Sequence, residues 1–246
     1  MSNPESKADP KASPAADAKV STAQSPDDRP MRGLMPPTRR PGPAGGKRDT
    51  NRKERSEALT KAGLKLFLER GVENVTVDEI AREAGTAKGN FYRYASDKKD
   101  LVDAIIQPIV VAFDDAFERC DQAIAAAKTT SELTSTYMRL AFELWEALRK
   151  DPDVALLYLQ EARAPSIGAR IPITDFDKRM TERVIALTEH AHRHGLLRKV
   201  PPAVSAIAVA GAVERLLIAH LRDQLFDNPA DVVRTLVMLV MEGIAG

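Results

Sequence analysis

From residue 49 onward, apolar side chains recur at the spacing of three and four residues that lines one side of a helix. Leu59, Ala62, Gly63, Leu66 and Phe67 form one such face, which predicts a first helix ending before Gly71, a natural residue for the position just past a helix. Thr76-Val77-Asp78-Glu79 then has the form of a capping box, and Ile80, Ala81 and Ala84 supply the buried face of a short helix stopped at Gly85. A second short helix starts almost at once, because Phe91 and Tyr92 need a face on which to pack. Ser96 or Asp97 caps a long helix from about residue 98 towards 127, in which Pro108 removes a backbone donor and predicts a kink.

The remaining breaks follow the same rules. Ser131 is the expected cap of a helix reaching about residue 150, and Asp151-Pro152 reads as N-cap and first residue of another reaching about 163. Pro165 and Gly168 mark a loop; a helix from about 173 stops at Gly195, Pro201-Pro202 opens the next, and Asn228-Pro229 starts a last one ending near 242. Strand-like alternation is absent between these breaks, so the expected fold is all-α with about nine helices.

The first 48 residues follow a different pattern. They hold nine of the sixteen prolines and almost no large apolar residues, so burial cannot offset the entropy of ordering them, and a disordered tail is expected. Arg32, Arg39, Arg40, Lys47 and Arg48 gather in its last third, which reads either as a solvated linker or as a basic arm reaching a phosphate backbone or minor groove. Charge sharpens this division. The net value of +1 is made of +4 over residues 1–48, +1 over 49–100 and −4 over 101–246, so the near-neutral total conceals a gradient from basic to acidic. The expected domains are thus a basic tail over 1–48, a unit over 49–97 and a helical body over 98–246. A single cysteine, Cys120, excludes an internal disulfide. No run approaches the roughly 20 uncharged apolar residues of a membrane span, and the chain opens without the apolar core of a signal peptide. A cytoplasmic protein with no membrane partner is expected.

Candidate chemistry concentrates at one place. Phe91, Tyr92 and Tyr94 stand within four residues, interleaved with Lys88, Asn90 and Arg93, in a short helix that follows a capped helix and a tight glycine turn. That is the composition of a recognition helix: Lys and Arg neutralise phosphates, Asn pairs with base edges, and Tyr hydroxyls reach phosphate oxygens. Gly89 removes a side chain where backbone would approach DNA closely. The plainer alternative is that the aromatics are packing; it holds for Phe91, and Tyr94, three positions on, can share its face.

The run GVENVTVDEIAREAGTAKGNFYRYASDKKDLV resembles the DNA-binding signature of the TetR family of transcriptional regulators, over roughly residues 52–102. The resemblance implies a helix-turn-helix with residues 76–84 as supporting helix and 87–93 as recognition helix. Lys88, Gly89 and Asn90 fall where the family reads base edges, and Thr76, Tyr92, Arg93, Tyr94 and Lys98 where it holds phosphates. Two positions depart from the pattern. Ala87 replaces the usual capping Ser, with Thr86 as the alternative cap, and Ala95 replaces a Phe that packs the unit onto the long helix.

The family also implies a homodimer on a double-stranded DNA operator and an unknown small-molecule inducer, largely apolar. Two stripes of the last helices are the expected dimer interface: Ala208, Gly211, Ala212 and Arg215 on one, and Val233, Leu236, Val237 and Val240 on the other. A dimer also meets a physical need, since it places two recognition helices ~34–36 Å apart, one DNA turn. Aromatic residues of the middle helices, Phe113, Phe117, Tyr137, Phe142, Trp145, Tyr158 and Phe176, are the candidate ligand pocket, although such spacing also suits an ordinary core. Glu143, Glu161 and Arg163 are the charged candidates there.

Other chemistry finds less support. His190 and His194 share a helix face but lack an evident third ligand, so neither a metal nor another cofactor is expected. Cys120 lies beside Glu118 and Asp121, which do not favour a reactive thiolate. No nucleotide-binding loop, nucleophile elbow or metalloprotease motif occurs, so no enzyme is expected. The expected function is a ligand-responsive repressor binding a pseudo-palindromic operator. The competing readings are a helical small-molecule or lipid-binding protein without regulatory DNA binding, and a nucleoid-type binder driven by its tail.

Overall fold

The computed structural model describes residues 47–198, 200–223, 226 and 228–244. The predicted tail lies outside the described residues, except that Lys47 and Arg48 open the first helix. In order the elements are α1 (Lys47–Arg70), α2 (Val77–Glu83), α3 (Lys88–Phe91), α4 (Lys98–Ala126), α5 (Thr130–Lys150), α6 (Pro152–Glu161), a short 3₁₀ turn (Gly168–Arg170), α7 (Ile171–Arg193), α8 (Pro202–Asp223) and α9 (Pro229–Ile244). Among the described residues there is no strand, and the fold is all-α.

Most ends obey the local chemistry. The Thr76 hydroxyl accepts from Glu79 N at 3.3 Å while a Glu79 carboxylate oxygen accepts from Thr76 N at 2.8 Å, closing the capping box. Asp97, rather than Ser96, caps α4, and Asp151 caps α6 with Pro152 behind it. One expected cap moves. Thr129, not Ser131, starts the fifth helix, because Glu132 stands three residues after Thr129 and completes a capping box there. The recognition segment is also shorter than expected: α3 ends at Phe91, and Tyr92 to Tyr94 continue as turn. Ala87 is its N-cap and offers no side-chain bond, while the Thr86 hydroxyl accepts from the Asn90 side chain at 2.7 Å instead of capping.

One apolar core runs through the described chain. Early in α4, Leu101 meets α1 at Gly63, where an added Cβ would lie 2.8 Å from the Leu101 side chain. Ala95 is buried in this same core, its N–H donating to Phe91 O at 3.0 Å, so the smaller residue leaves no exposed gap. Later in α4, Phe113 packs on Phe176 of α7 with ring centroids 5.6 Å apart.

The hydropathy of α8 bears on the expectation that no uncharged apolar run spans a membrane. Residues 202–222 of α8 have the length and mean hydropathy, 1.6, of a candidate span, and little of that helix is buried. Charges do interrupt it: Glu214 reaches Arg163 of the body, and Arg215 is exposed. The apolar outer face of α8 therefore needs a different account.

Candidate functional site

The α2–turn–α3 segment projects a compact polar surface. Lys88, Gly89, Tyr92 and Arg93 are exposed, and Tyr92, 48% exposed, leans edge-on against the buried Phe91 at 5.6 Å. Lys88 pairs with Asp78 at 3.0 Å; the hydrogen bond and the carboxylate's charge push its pKa up, so it stays a cation. Both partners are solvated, so the pair adds little and yields readily to a better acceptor. Arg93 forms no ion pair among the described residues. A Cβ on Gly89 would meet nothing within 4 Å, so nothing inside the protein requires glycine there. Tyr94 is half-buried against the core on the side of Phe91, and Asn90 is half-buried and bonded to Thr86, so both are less available than their neighbours. Thr76 is exposed but its hydroxyl is engaged with Glu79.

Lys98 is used otherwise than the phosphate role expected of it. Its ammonium donates to the carbonyls of Val72, Glu73 and Val75 at 2.7, 3.2 and 2.9 Å, which accounts for all three of its protons. Partial burial pushes its pKa down, the opposite of what an open phosphate clamp would do. The residue ties the α1–α2 connection to the start of α4, where residues 89 positions apart also meet: Glu161, 3% exposed on α6, accepts from Val72 N at 3.0 Å and from Arg170 Nε at 2.5 Å. Arg170 N donates in turn to Glu73 at 3.1 Å. Gly168 makes this possible: its φ is +54°, and an added Cβ would lie 2.6 Å from the Glu73 carboxylate.

A cavity of about 280 Å³ opens between α4, α5, α6, α7, α8 and α9. Of the seven aromatic candidates, Phe113, Phe117, Tyr137, Trp145 and Tyr158 line it. Phe142 does not, and Phe176 stands behind the wall, buried against Phe113 and Tyr158. The charged candidates miss it as well. Glu143 pairs with Arg119, Glu161 is the tie just described, and Arg163, largely exposed, holds Glu214 and Asp177. The polar wall residues sequence reasoning missed include Asp177, Glu214 and His220; each sits singly on an apolar stripe, with no local signal to find it.

The expected dimer stripes divide. Ala208, Gly211 and Arg215 of α8 are exposed and Ala212 is half-exposed, in line with Val204 and Ile207, which are 66% and 54% exposed. Val233, Leu236, Val237 and Val240 of α9 instead line the cavity, and the apolar residues α9 turns outward are Met238 and Leu239. The stripe of α9 expected at the dimer interface thus faces the cavity in the single chain, where its side chains are half-buried.

His190 hydrogen-bonds Asp121 at 2.8 Å and stacks near His194, and no group of three or more metal-binding side chains occurs among the described residues. Cys120 is buried and its thiol is pushed up to about 12 by desolvation first, then by Asp121 and Glu143, which fits an inert thiol.

A capped helix, a glycine turn and a short helix presenting Lys, Gly, Tyr and Arg define a helix-turn-helix domain. Residues 59–105, the helix-turn-helix unit and the start of α4, match the family model described as bacterial regulatory proteins, tetR family. Over 55 residues the chain is 42% identical to an HTH-type transcriptional regulator of Staphylococcus aureus, a match that covers 22% of this chain and 30% of that relative's length. The likeness in fold reaches further. NalD, the secondary repressor of the MexAB-OprM multidrug efflux pump in Pseudomonas aeruginosa, superposes with a TM-score of 0.60 at 18% identity, over 79% of this chain and 97% of its own. The ketosteroid regulator KstR2 of Mycobacterium tuberculosis gives 0.56 at 19%, over 78% and 95%. FadR of Bacillus subtilis, solved with stearoyl-CoA, gives 0.57 at 17%, over 76% and 98%.

Proposed function

We propose that this protein is a cytoplasmic, dimeric, ligand-responsive transcriptional repressor that binds a pseudo-palindromic operator through Lys88, Gly89, Tyr92 and Arg93, with Asn90 and Thr76 in support. The observation that carries the reading is the outward presentation of these side chains on one turn, with Gly89 unneeded by the interior and Arg93 unpaired among the described residues. Lys88 and Arg93 neutralise phosphates or read guanine edges, Tyr92 steadies the backbone, and Gly89 lets it come close. Two copies are needed for a tight, register-specific complex. The exposed apolar face of α8 and α9, around Val204, Ile207, Gly211, Met238 and Leu239, supports a second copy as its cover. The unit over 49–97 then acts as reader and the body over 98–246 as sensor, and the basic arm within 1–48 adds phosphate contacts.

In this reading an inducer in the cavity changes the separation of the two recognition segments. Tyr158 lines the cavity, and Glu161, one turn further along α6, holds Val72 beside α2, which supplies a short route between the two. The similar structures are named for different small molecules and different genes, so they do not choose a ligand.

A mobility-shift assay with DNA from beside the protein's own gene tests the proposal. Retardation at low salt is expected, with a loss of roughly 100-fold or more in a Tyr92→Ala plus Arg93→Ala variant. No retardation, or retardation the variant leaves unchanged, overturns it.

A further inference from the structure

Two side chains that line the cavity each carry a buried polar atom without a partner. The Tyr137 hydroxyl on α5 and Nδ1 of His220 on α8 are both closed off from solvent and form no hydrogen bond among the described residues. Leaving a buried donor or acceptor unmet costs about 1–3 kcal/mol, so each is an unusual feature of a folded protein and one that a bound group would remove. Burial pushes the Tyr137 pKa well up, so its hydroxyl keeps the proton and can donate. The two atoms are set apart along the cavity. His220 lies against Trp145, with ring centroids 5.2 Å apart, and Trp145 is eight residues, roughly 12 Å of helix, beyond Tyr137.

The charge on the wall is one-sided. Asp177 and Glu214 line the cavity, and no lysine or arginine does among the described residues. The single cation that reaches them, Arg163, approaches from the exposed side and is committed to both, at 3.7 Å to Asp177 and 2.6 Å to Glu214; Tyr158 also donates to Asp177 at 2.8 Å. An anionic group brought inside would lose its water beside two carboxylates with no free counter-charge, which is strongly unfavourable. A cation would find carboxylates already satisfied. The rest of the wall is apolar apart from Thr181, Thr188 and Ser205, whose hydroxyls donate to carbonyls of their own helices.

We infer that the cavity binds a neutral, mainly apolar molecule bearing two hydrogen-bonding groups, such as hydroxyls or carbonyls, one placed against the Tyr137 hydroxyl and the other against His220. Calling that molecule the inducer rests on the regulator reading; its binding does not, and is measured without DNA. Hydrogen bonds to the two anchors orient the molecule, and apolar burial against Phe113, Phe117 and the leucines and valines of α8 and α9 supplies most of the affinity.

Trp145, the single tryptophan of the chain, lines the cavity and reports on its contents. The full-length protein is titrated, by Trp145 emission, with three probes of one chain length: decane-1,10-diol, decanedioate and decane-1,10-bis(trimethylammonium). The diol is expected to bind at least ten times more tightly than either charged probe. Tyr137→Phe and His220→Phe are each expected to weaken the diol about three- to tenfold, the loss of one hydrogen bond. Neither variant should lower the melting temperature of the unliganded protein, since each removes an unmet polar atom. Decanedioate or the dication binding as tightly as the diol, no response of Trp145 to the diol, or both variants binding the diol like the parent would overturn the inference. DNA retardation separates the two readings: it survives a failure here, and a Trp145 response survives the loss of retardation.

Discussion

The unit of α1 to α3 and the body of α4 to α9 treat their polar groups in opposite ways. In the unit, polar side chains are tied to near neighbours: Thr76 to Glu79, Asn90 to Thr86, Lys88 to Asp78. These ties are short in sequence and mostly exposed, so they shape the surface while leaving Lys88, Tyr92 and Arg93 free to meet a partner. In the body, the ties span the chain: Glu161 to Val72 across 89 residues, His190 to Asp121 across 69, Arg163 to Glu214 across 51. Where such a tie is missing, at Tyr137 and His220, the side chain lines a cavity. A surface that reads a charged polymer is built from local rules, whereas a pocket that holds a small molecule needs side chains brought together from distant helices.

The comparison breaks hardest if the reader fails when only the body is changed. Replacing Ile207 and Leu239 by Glu places charge on the exposed face of α8 and α9 and is expected to give a monomer in sedimentation. Operator affinity should then fall by about 10²–10⁴-fold, because two linked half-site contacts become independent ones. A variant that stays dimeric would move the subunit interface elsewhere.

A smaller effect tests which side of the division Lys98 belongs to. Lys98→Met removes three donors from the α1–α2 connection and should cost about 1.5–3 kcal/mol of stability, visible as a lower melting temperature. Operator binding measured well below that temperature should change little. Unchanged melting with weakened binding would return Lys98 to the phosphate contacts.

The smallest effect concerns the capping box. Bonds from the Thr76 backbone and hydroxyl, and then from Arg70, hold the Glu79 carboxyl at about 2 against an ordinary 4.5. Because the folded value is the lower one, this contribution is present in full above about 4.5 and is lost as the pH falls towards 2. Glu79→Gln should therefore lower the melting temperature at pH 6 and narrow the difference from the parent as the pH falls to 3. Equal differences at both pH values would remove Glu79 from this role.

Legibility followed the same division. Helix positions, the capping box and the recognition residues could be read because each depends on residues within one or two turns. The start of the fifth helix is local too: Thr129, unlike Ser131, has a glutamate three residues on. Helical spacing marks Phe142 and Phe176 as strongly as the cavity residues Tyr137 and Trp145, since it cannot tell a wall from the layer behind it. His220, Asp177 and Glu214 carried no signal at all.

By itself the sequence determined an all-helical chain with a helix-turn-helix reader, since capping, glycine turns and apolar periodicity act over a few residues. Only the tertiary structure decided that Lys98 faces inward to three carbonyls, that the valine stripe of α9 lines a cavity, and that two side chains of its wall, Tyr137 and His220, each keep a polar atom unpartnered. Each of these depends on which helices become neighbours, and that is set by packing summed over the whole core rather than by any local pattern.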